Sequence, residues 1–256
     1  MKYFIAGLPR SGSTLLSSIL IQNPSIHSDV TSPVHVLFNQ ILSADYSGAT
    51  DLITELKTKQ ILESVFNIAY STIDKPIIFD LNRLWTSKLD ILFDLYPNTK
   101  IICCVRDIIS ILNSCEHLYQ ANKYKKADKI YGGYIDNVYF RSENLMNWSG
   151  LVGAPLCALK QALASSYKNE IHLIEYDDLV NNTSNTIKEL YSFLNIKHFS
   201  HTYTEIVGLD SSKISNDTSL TGLHAVRPQV EKIDRNLILP GDLVNTYSNM
   251  EYWRYV

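Results

Sequence analysis

The opening residues confine this chain more than any later stretch. Lys2-Tyr-Phe-Ile-Ala6 is a short β-prone run, Gly7-Leu-Pro-Arg-Ser-Gly-Ser-Thr14 follows at once, and Leu15 to Ile21 has helical character. A strand that feeds a glycine-bearing loop into a helix gathers backbone N–H groups and the positive end of a helix dipole around one point. That arrangement suits a phosphate or a sulfate.

Gly7-x-x-x-x-Gly12-Ser13-Thr14 has the frame of the nucleotide-binding P-loop, with one departure. Where that loop has a Lys after its second Gly, this chain has Ser13, and its cation, Arg10, stands two residues before Gly12. An NTPase without the Lys loses a contact to the outer phosphates. Arg10 reaches the same anion from within the loop.

A second apolar run, Pro76-Ile-Ile-Phe79, stops at Asp80 and precedes an amphipathic helix from about Ser87 to Leu95, ended by Pro97-Asn98. Lys100-Ile-Ile-Cys-Cys-Val105 reads as a buried strand closing at Arg106. A helix follows from Ile108 through Tyr119, then a helical region from Lys125 to Tyr167 with breaks at Gly132-Gly133 and between Gly150 and Pro155. Ile171 to Glu175 is the fourth strand, and Thr183 to Leu194 has Ile187, Leu190, Tyr191 and Leu194 at helical spacing. Strands alternating with helices predict an α/β protein, a P-loop-type three-layer fold with a short central parallel sheet flanked by helices. One domain over residues 1–256 is the economical expectation. Within it, 199–240, rich in Ser, Thr, Asp and Asn, is expected to form a long loop or lid, and Leu243 to Trp253 resumes helical spacing.

Charge and composition exclude several functions. The formal net charge is −3, so no global positive field exists to hold a nucleic acid or an anionic membrane, and anion binding has to be local. Cys103, Cys104, Cys115 and Cys157 lack metal-ligand spacing and read as reduced core residues, and no metal is expected, because arginines and backbone amides can take the place of Mg²⁺ at the anion. No apolar run approaches the roughly 20 residues of a membrane span. Pro9 and Arg10 interrupt the apolar start before it amounts to a signal peptide, which makes the cytoplasm the expected location.

Pro9-Arg10-Ser11-Gly12-Ser13-Thr14 resembles, residue by residue, the 5′-phosphosulfate loop of the sulfotransferase superfamily, Pro-(Arg/Lys)-Ser-Gly-(Ser/Thr)-Thr. Members of that family bind the 3′-phosphate of 3′-phosphoadenosine 5′-phosphosulfate (PAPS) with an Arg at a strand end and a Ser eight residues on; Arg106 and Ser114 match. Glu175-Tyr176-Asp177-Asp178-Leu179 is similar to the family's Tyr-Glu-Asp-Leu segment, whose Tyr lies near the adenine. Arg227, in Gly222-Leu-His-Ala-Val-Arg-Pro228, stands where a late loop closes over the nucleotide, at a spacing different from the cytosolic members' Arg-Lys-Gly. The likeness is nearer to bacterial and tyrosylprotein-sulfotransferase-like members. It implies PAPS as donor, the product PAP (3′-phosphoadenosine 5′-phosphate), and sulfuryl transfer to a hydroxyl or amine of a small-molecule, glycan, lipid or peptide acceptor.

Sulfuryl transfer, like phosphoryl transfer, needs cations at the bridging and terminal oxygens and a base for the acceptor proton. Arg10 supplies one cation. The resemblance sets Asp80-Leu-Asn-Arg83-Leu-Trp85 where cytosolic members carry Lys-x-His, which makes Arg83 a second cation and Asp80 a candidate base. The glutamate of tyrosylprotein-type members has no counterpart in Ser28 to Pro33, and His35 joins Asp80 as candidate base. Two alternatives stay open on these residues: a P-loop small-molecule or nucleotide kinase, and a catalytically silent nucleotide-binding module.

Overall fold

The computed structural model describes residues 1–44, 53–125, 128–133, 135–207, 220, 222–224 and 226–255. Its centre is a five-stranded sheet in the order β2-β3-β1-β4-β5, with every pairing parallel. The strands are β1 (Lys2–Gly7), β2 (Ile26–Ser28), β3 (Ile77–Leu81), β4 (Ile101–Val105) and β5 (Ile171–Glu175). Because both faces of a parallel sheet are covered, its strands are continuous apolar runs whose alternate residues serve two cores. Phe4, Ala6, Ile101, Cys103 and Val105 face one core, and Tyr3, Ile5, Phe79, Ile102 and Cys104 face the other.

The first core is closed by α2 (Val34–Ser43), α3 (Glu55–Ala69), α4 (Leu89–Leu95), α5 (Ile108–Ala121), α7 (Val138–Met146) and α8 (Gly153–Leu163), with the four-residue α6 (Asp128–Tyr131) beside α7. The second is closed by α1 (Ser13–Leu20), α9 (Tyr176–Asn181) and α10 (Thr183–Phe193) through Leu16, Ile19, Leu179, Ile187 and Leu190. The three-layer α/β expectation therefore matches the fold. Near the C-terminus the expected helix is split into α11 (Gly241–Tyr247) and a 3₁₀ turn at Tyr252–Tyr255.

Several local expectations are corrected. A fifth strand, β2, has three residues, too few for alternation to register, and α2 and α3 lie where no helix was expected. The helical region from Lys125 to Tyr167 is broken near Gly132-Gly133 as expected, whereas its second break lies at 147–152, with Gly153 and Pro155 already inside α8. Three cysteines are core residues, but Cys157 is exposed on α8. Of the expected lid, residues 208–219, 221 and 225 lie outside the described residues, and its described part has neither helix nor strand between Phe199 and Pro240. No helix among the described residues is long and apolar enough to cross a membrane.

At the end of the β1–β4 pair Gly7 stands opposite Cys104. Its φ is 110°, in the region that favours glycine, and a Cβ there would lie 2.1 Å from the Cys104 carbonyl oxygen. Gly7→Ala is expected to cost about 3 kcal/mol or more, from left-handed strain plus an overlap that backbone has to relieve. A urea midpoint equal to wild type would refute the tight β1–β4 seam.

Candidate active site

In the strand order, chain connections leave β1 toward one edge and β4 toward the other, so a crevice opens at their carboxyl ends. Such switch points are where open α/β sheets bind ligands. A cleft of about 340 Å³ lies there, and the loops after β1, β3, β4 and β5 all contribute to it.

The loop after β1 is pinned from below. Leu8 donates its N–H to Cys104 O at 2.8 Å, and the buried Ser11 hydroxyl lies 2.9 Å from the same carbonyl and also against Leu8 O. Arg10 has a φ of 58° and Gly12 a φ of 90°, so the chain reverses sharply and turns the Arg10 side chain over the cleft. Gly12 caps α1 with no side-chain hydrogen bond, which leaves the first-turn N–H groups of α1 without a side-chain acceptor. A Cβ at Gly12 would press on Tyr176 and Leu179 at 3.1 and 3.0 Å, so the loop packs directly on the start of α9.

Three arginines converge above this loop. Arg106, just past β4, donates to Arg10 O at 3.0 Å and lays its guanidinium 3.9 Å from the centre of the Tyr176 ring. Ser114 on α5 accepts from Arg10 Nε at 3.2 Å and from Arg235 Nη1 at 2.9 Å, and Arg10 also donates to Leu223 O. Burial lowers the pKa of Arg10 and of Arg106, and the neighbouring Arg235 lowers both further. Among the described residues none of the three makes an ion pair with a carboxylate.

The loop after β3 adds a fourth cation. Asn82 Oδ1 accepts from Leu84 N at 3.1 Å, and Gly7 N donates to Arg83 O at 3.3 Å, which turns Arg83 into the cleft. No side-chain partner of Arg83 is seen among the described residues. Asp80, the next-to-last residue of β3, is 0 % exposed and lies outside the cleft lining. It accepts from Ser32 Oγ (2.7 Å), Tyr70 Oη (2.8 Å) and Trp85 Nε1 (2.7 Å). Burial raises its pKa while those three donors oppose the rise. His35, at the start of α2, is equally remote: 1 % exposed, edge-on to Trp85 with ring centres 5.0 Å apart, and pushed down to about 4 by burial with Lys88 and Arg83 nearby.

Of the residues expected from sequence, Pro9, Arg10, Gly12, Ser13, Thr14, Arg83, Arg106, Ser114, Tyr176 and Arg227 line one cleft. Ser11 braces the loop from beneath. Asp80 and His35 stand behind it, for a physical reason: Asp80 points from mid-strand into the first core, and α2 seals His35 against Trp85. Tyr176 is buried beneath Arg106. Arg227 is exposed and turned to Glu231. The sequence reading missed Arg235, whose neighbours Lys232, Asp234 and Asn236 give it the look of a solvated loop, and His224, which lines the cleft one residue after Leu223.

A sequence model of the sulfotransferase family matches residues 3–200. No curated protein matches the chain by sequence. Among solved structures, the fold is similar to the sulfotransferase domain from the curacin biosynthetic pathway, with 18 % identity over 77 % of this chain and 74 % of that one and a TM-score of 0.53. A sulfotransferase from Alicyclobacillus acidocaldarius is 14 % identical over 78 % of this chain and 83 % of its own, also at a TM-score of 0.53. A mouse sulfotransferase complexed with PAP is 15 % identical over 99 % and 81 %, at a TM-score of 0.50.

With Asp80 saturated by three donors, Asp80→Ala is expected to destabilise the protein by about 3 kcal/mol or more, because the Trp85, Ser32 and Tyr70 donors are left buried without an acceptor. Chemical denaturation measures this. An Asp80→Ala variant as stable as wild type would show that these three hydrogen bonds contribute nothing to the fold.

Proposed function

The chain belongs to the sulfotransferase family, and from that membership we propose that its cleft takes PAPS as sulfuryl donor, with PAP as product. The enzyme transfers a sulfuryl group. The observation that best supports the donor is the convergence of Arg10, Arg106 and Arg235, two of them on Ser114, with no ion pair to a carboxylate among the described residues. Cations held this closely repel one another, and an anion with several charges relieves that repulsion. Ser114 Oγ, having accepted two N–H bonds, keeps its own O–H to donate to such an anion.

Two groups of residues suit the two ends of the nucleotide. Residues 9–14 and the open first turn of α1 suit the 5′-phosphosulfate, where backbone N–H groups and Arg10 meet charge. Arg106, Ser114 and Arg235 suit the 3′-phosphate, the group that distinguishes PAP from ADP. Tyr176 serves on this reading by fixing the guanidinium plane of Arg106, and Arg235 takes the late-segment role that the sequence suggested for Arg227. Arg83 fits as the second cation, at the bridging oxygen of the leaving phosphate. With arginines and backbone dipoles supplying positive charge, the reaction needs no metal on this reading.

The acceptor is a hydroxyl or an amine. Val30, Leu81, Ile130 and Leu151 give the cleft an apolar wall, which favours an acceptor that brings apolar surface to it. The domain is read as one unit over 1–256, with the segment between Phe199 and Pro240 as its nucleotide cover; the anchoring of Asn236 and Ile238 to Asn113 of α5 supports that role. A cytoplasmic setting goes with a nucleotide donor.

Titration calorimetry with PAP and ADP tests the donor. PAP is expected to bind at least about 10-fold more tightly than ADP, since charge-assisted hydrogen bonds to the extra phosphate each contribute about 1.5–3 kcal/mol. ADP binding as tightly as PAP would reject the reading in favour of a kinase-like site. Arg106→Ala is expected to weaken PAP by about 10- to 100-fold and leave ADP almost unchanged. Equal losses for both nucleotides would remove Arg106 from the 3′-phosphate.

A further inference from the structure

A transfer to a hydroxyl needs a group that takes the acceptor proton, and neither Asp80 nor His35 reaches the cleft. The titratable side chains that do line it are five arginines, Glu231, Tyr176 and His224. The arginines stay protonated and cannot act as bases. Glu231, exposed, is engaged with Arg227, and Tyr176 is covered by Arg106. His224 remains: half-buried, lining the cleft, with no hydrogen-bond partner for its ring among the described residues.

We propose that His224 is the general base of the transfer, carried to the reaction centre by the late segment. This rests on the sulfotransferase reading above. Its place is set by Arg10, which donates to the carbonyl of the adjacent Leu223, while Leu223 N closes a turn onto Leu220 O at 3.0 Å. Arg10 and Arg83, the two cations assigned to the transferring group, line the same cleft as the imidazole. In the step, a nitrogen lone pair of His224 takes the acceptor proton while the acceptor oxygen bonds to sulfur. The bond from sulfur to the bridging oxygen breaks, and its electron pair stays on the phosphate of PAP. The proton then passes from the imidazolium to solvent.

The charges facing the ring favour its neutral form. Burial lowers its pKa first, and Arg10 and Arg83 lower it further; Arg106 and Arg235 are cations in the same cleft, and Glu231 is held by Arg227. A histidine below its ordinary 6.5 is unprotonated at pH 7 and able to accept a proton. The rate should therefore be flat near neutrality and fall as pH drops through the lowered pKa.

The test uses the full chain, PAPS, and an acceptor drawn from a panel of phenols, sugars and amines, with PAP binding measured alongside. His224→Gln is expected to lose about 10²- to 10⁴-fold in the rate of PAP formation, to lose the acid limb of the pH profile, and to keep wild-type PAP affinity. Added imidazole should restore part of the rate to His224→Ala. A His224→Gln enzyme with a wild-type rate and acid limb overturns the inference while leaving the sulfotransferase intact. Loss of PAP affinity along with the rate also overturns it, by making His224 a donor-binding residue. Wild type that fails to bind PAP overturns the donor reading itself, a result distinguishable from the other two.

Discussion

Everything at the cleft depends on Arg10 and Arg106 being held together although both are positive. What holds them is not an opposing carboxylate. Arg106 donates to the backbone carbonyl of Arg10, so the two cations are linked through a dipole that welcomes one of them. The face of Tyr176 supplies further negative potential beneath Arg106, and Ser114 and Leu223 O occupy the donors of Arg10. Neutral acceptors anchor the guanidinium groups without cancelling their charge. The net attraction for an anion is preserved.

The contrast with Glu116 and Arg141 shows that this is a choice made residue by residue. Two positions after Ser114, on the same helix, Glu116 takes Arg141 in a bidentate pair with both side chains nearly buried, and Arg141 also lies 3.8 Å from the centre of the Tyr119 ring. That arginine is neutralised and ties α7 to α5. Ser114 faces the cleft with a hydroxyl, while Glu116 faces the first core with a charge matched by its partner. A carboxylate at 114 in place of the hydroxyl would neutralise the cations and close the site to anions.

How far the sequence revealed this depends on the range over which each feature is encoded. The loop from Pro9 to Thr14 and the strand end at Arg106 are local: an apolar run stops, a cation follows, and the parallel sheet places both ends on one side. Those were legible, as were β1, β3, β4, β5 and the helices after them. The position of Asp80 was not legible, because a carboxylate at the end of an apolar run reads alike whether it faces the cleft or the core. Its three donors come from Ser32, Tyr70 and Trp85, far apart in sequence. β2 failed by its length, and Arg235 and His224 by lying in a segment with no hydrophobic period. Their placement is set by tertiary anchors, Asn113 to Asn236 O and Arg10 to Leu223 O.

The late segment is also tied to the cleft arginines themselves. It hangs from the donor site at both ends, since Arg235 rests on Ser114 and the Leu223 carbonyl rests on Arg10. Whatever binds Arg10 and Ser114 therefore acts on both contacts that hold His224 and Arg235 over the cleft. Asp80 enters at one remove: it accepts from Trp85, two residues past Arg83, and from Ser32, and so braces the segment after β3 from the core side. Arg10, Arg83 and Arg106 stand past strand ends and His224 and Arg235 on a segment anchored to Arg10 and Ser114, so a change at either anchor reaches both faces of the cleft.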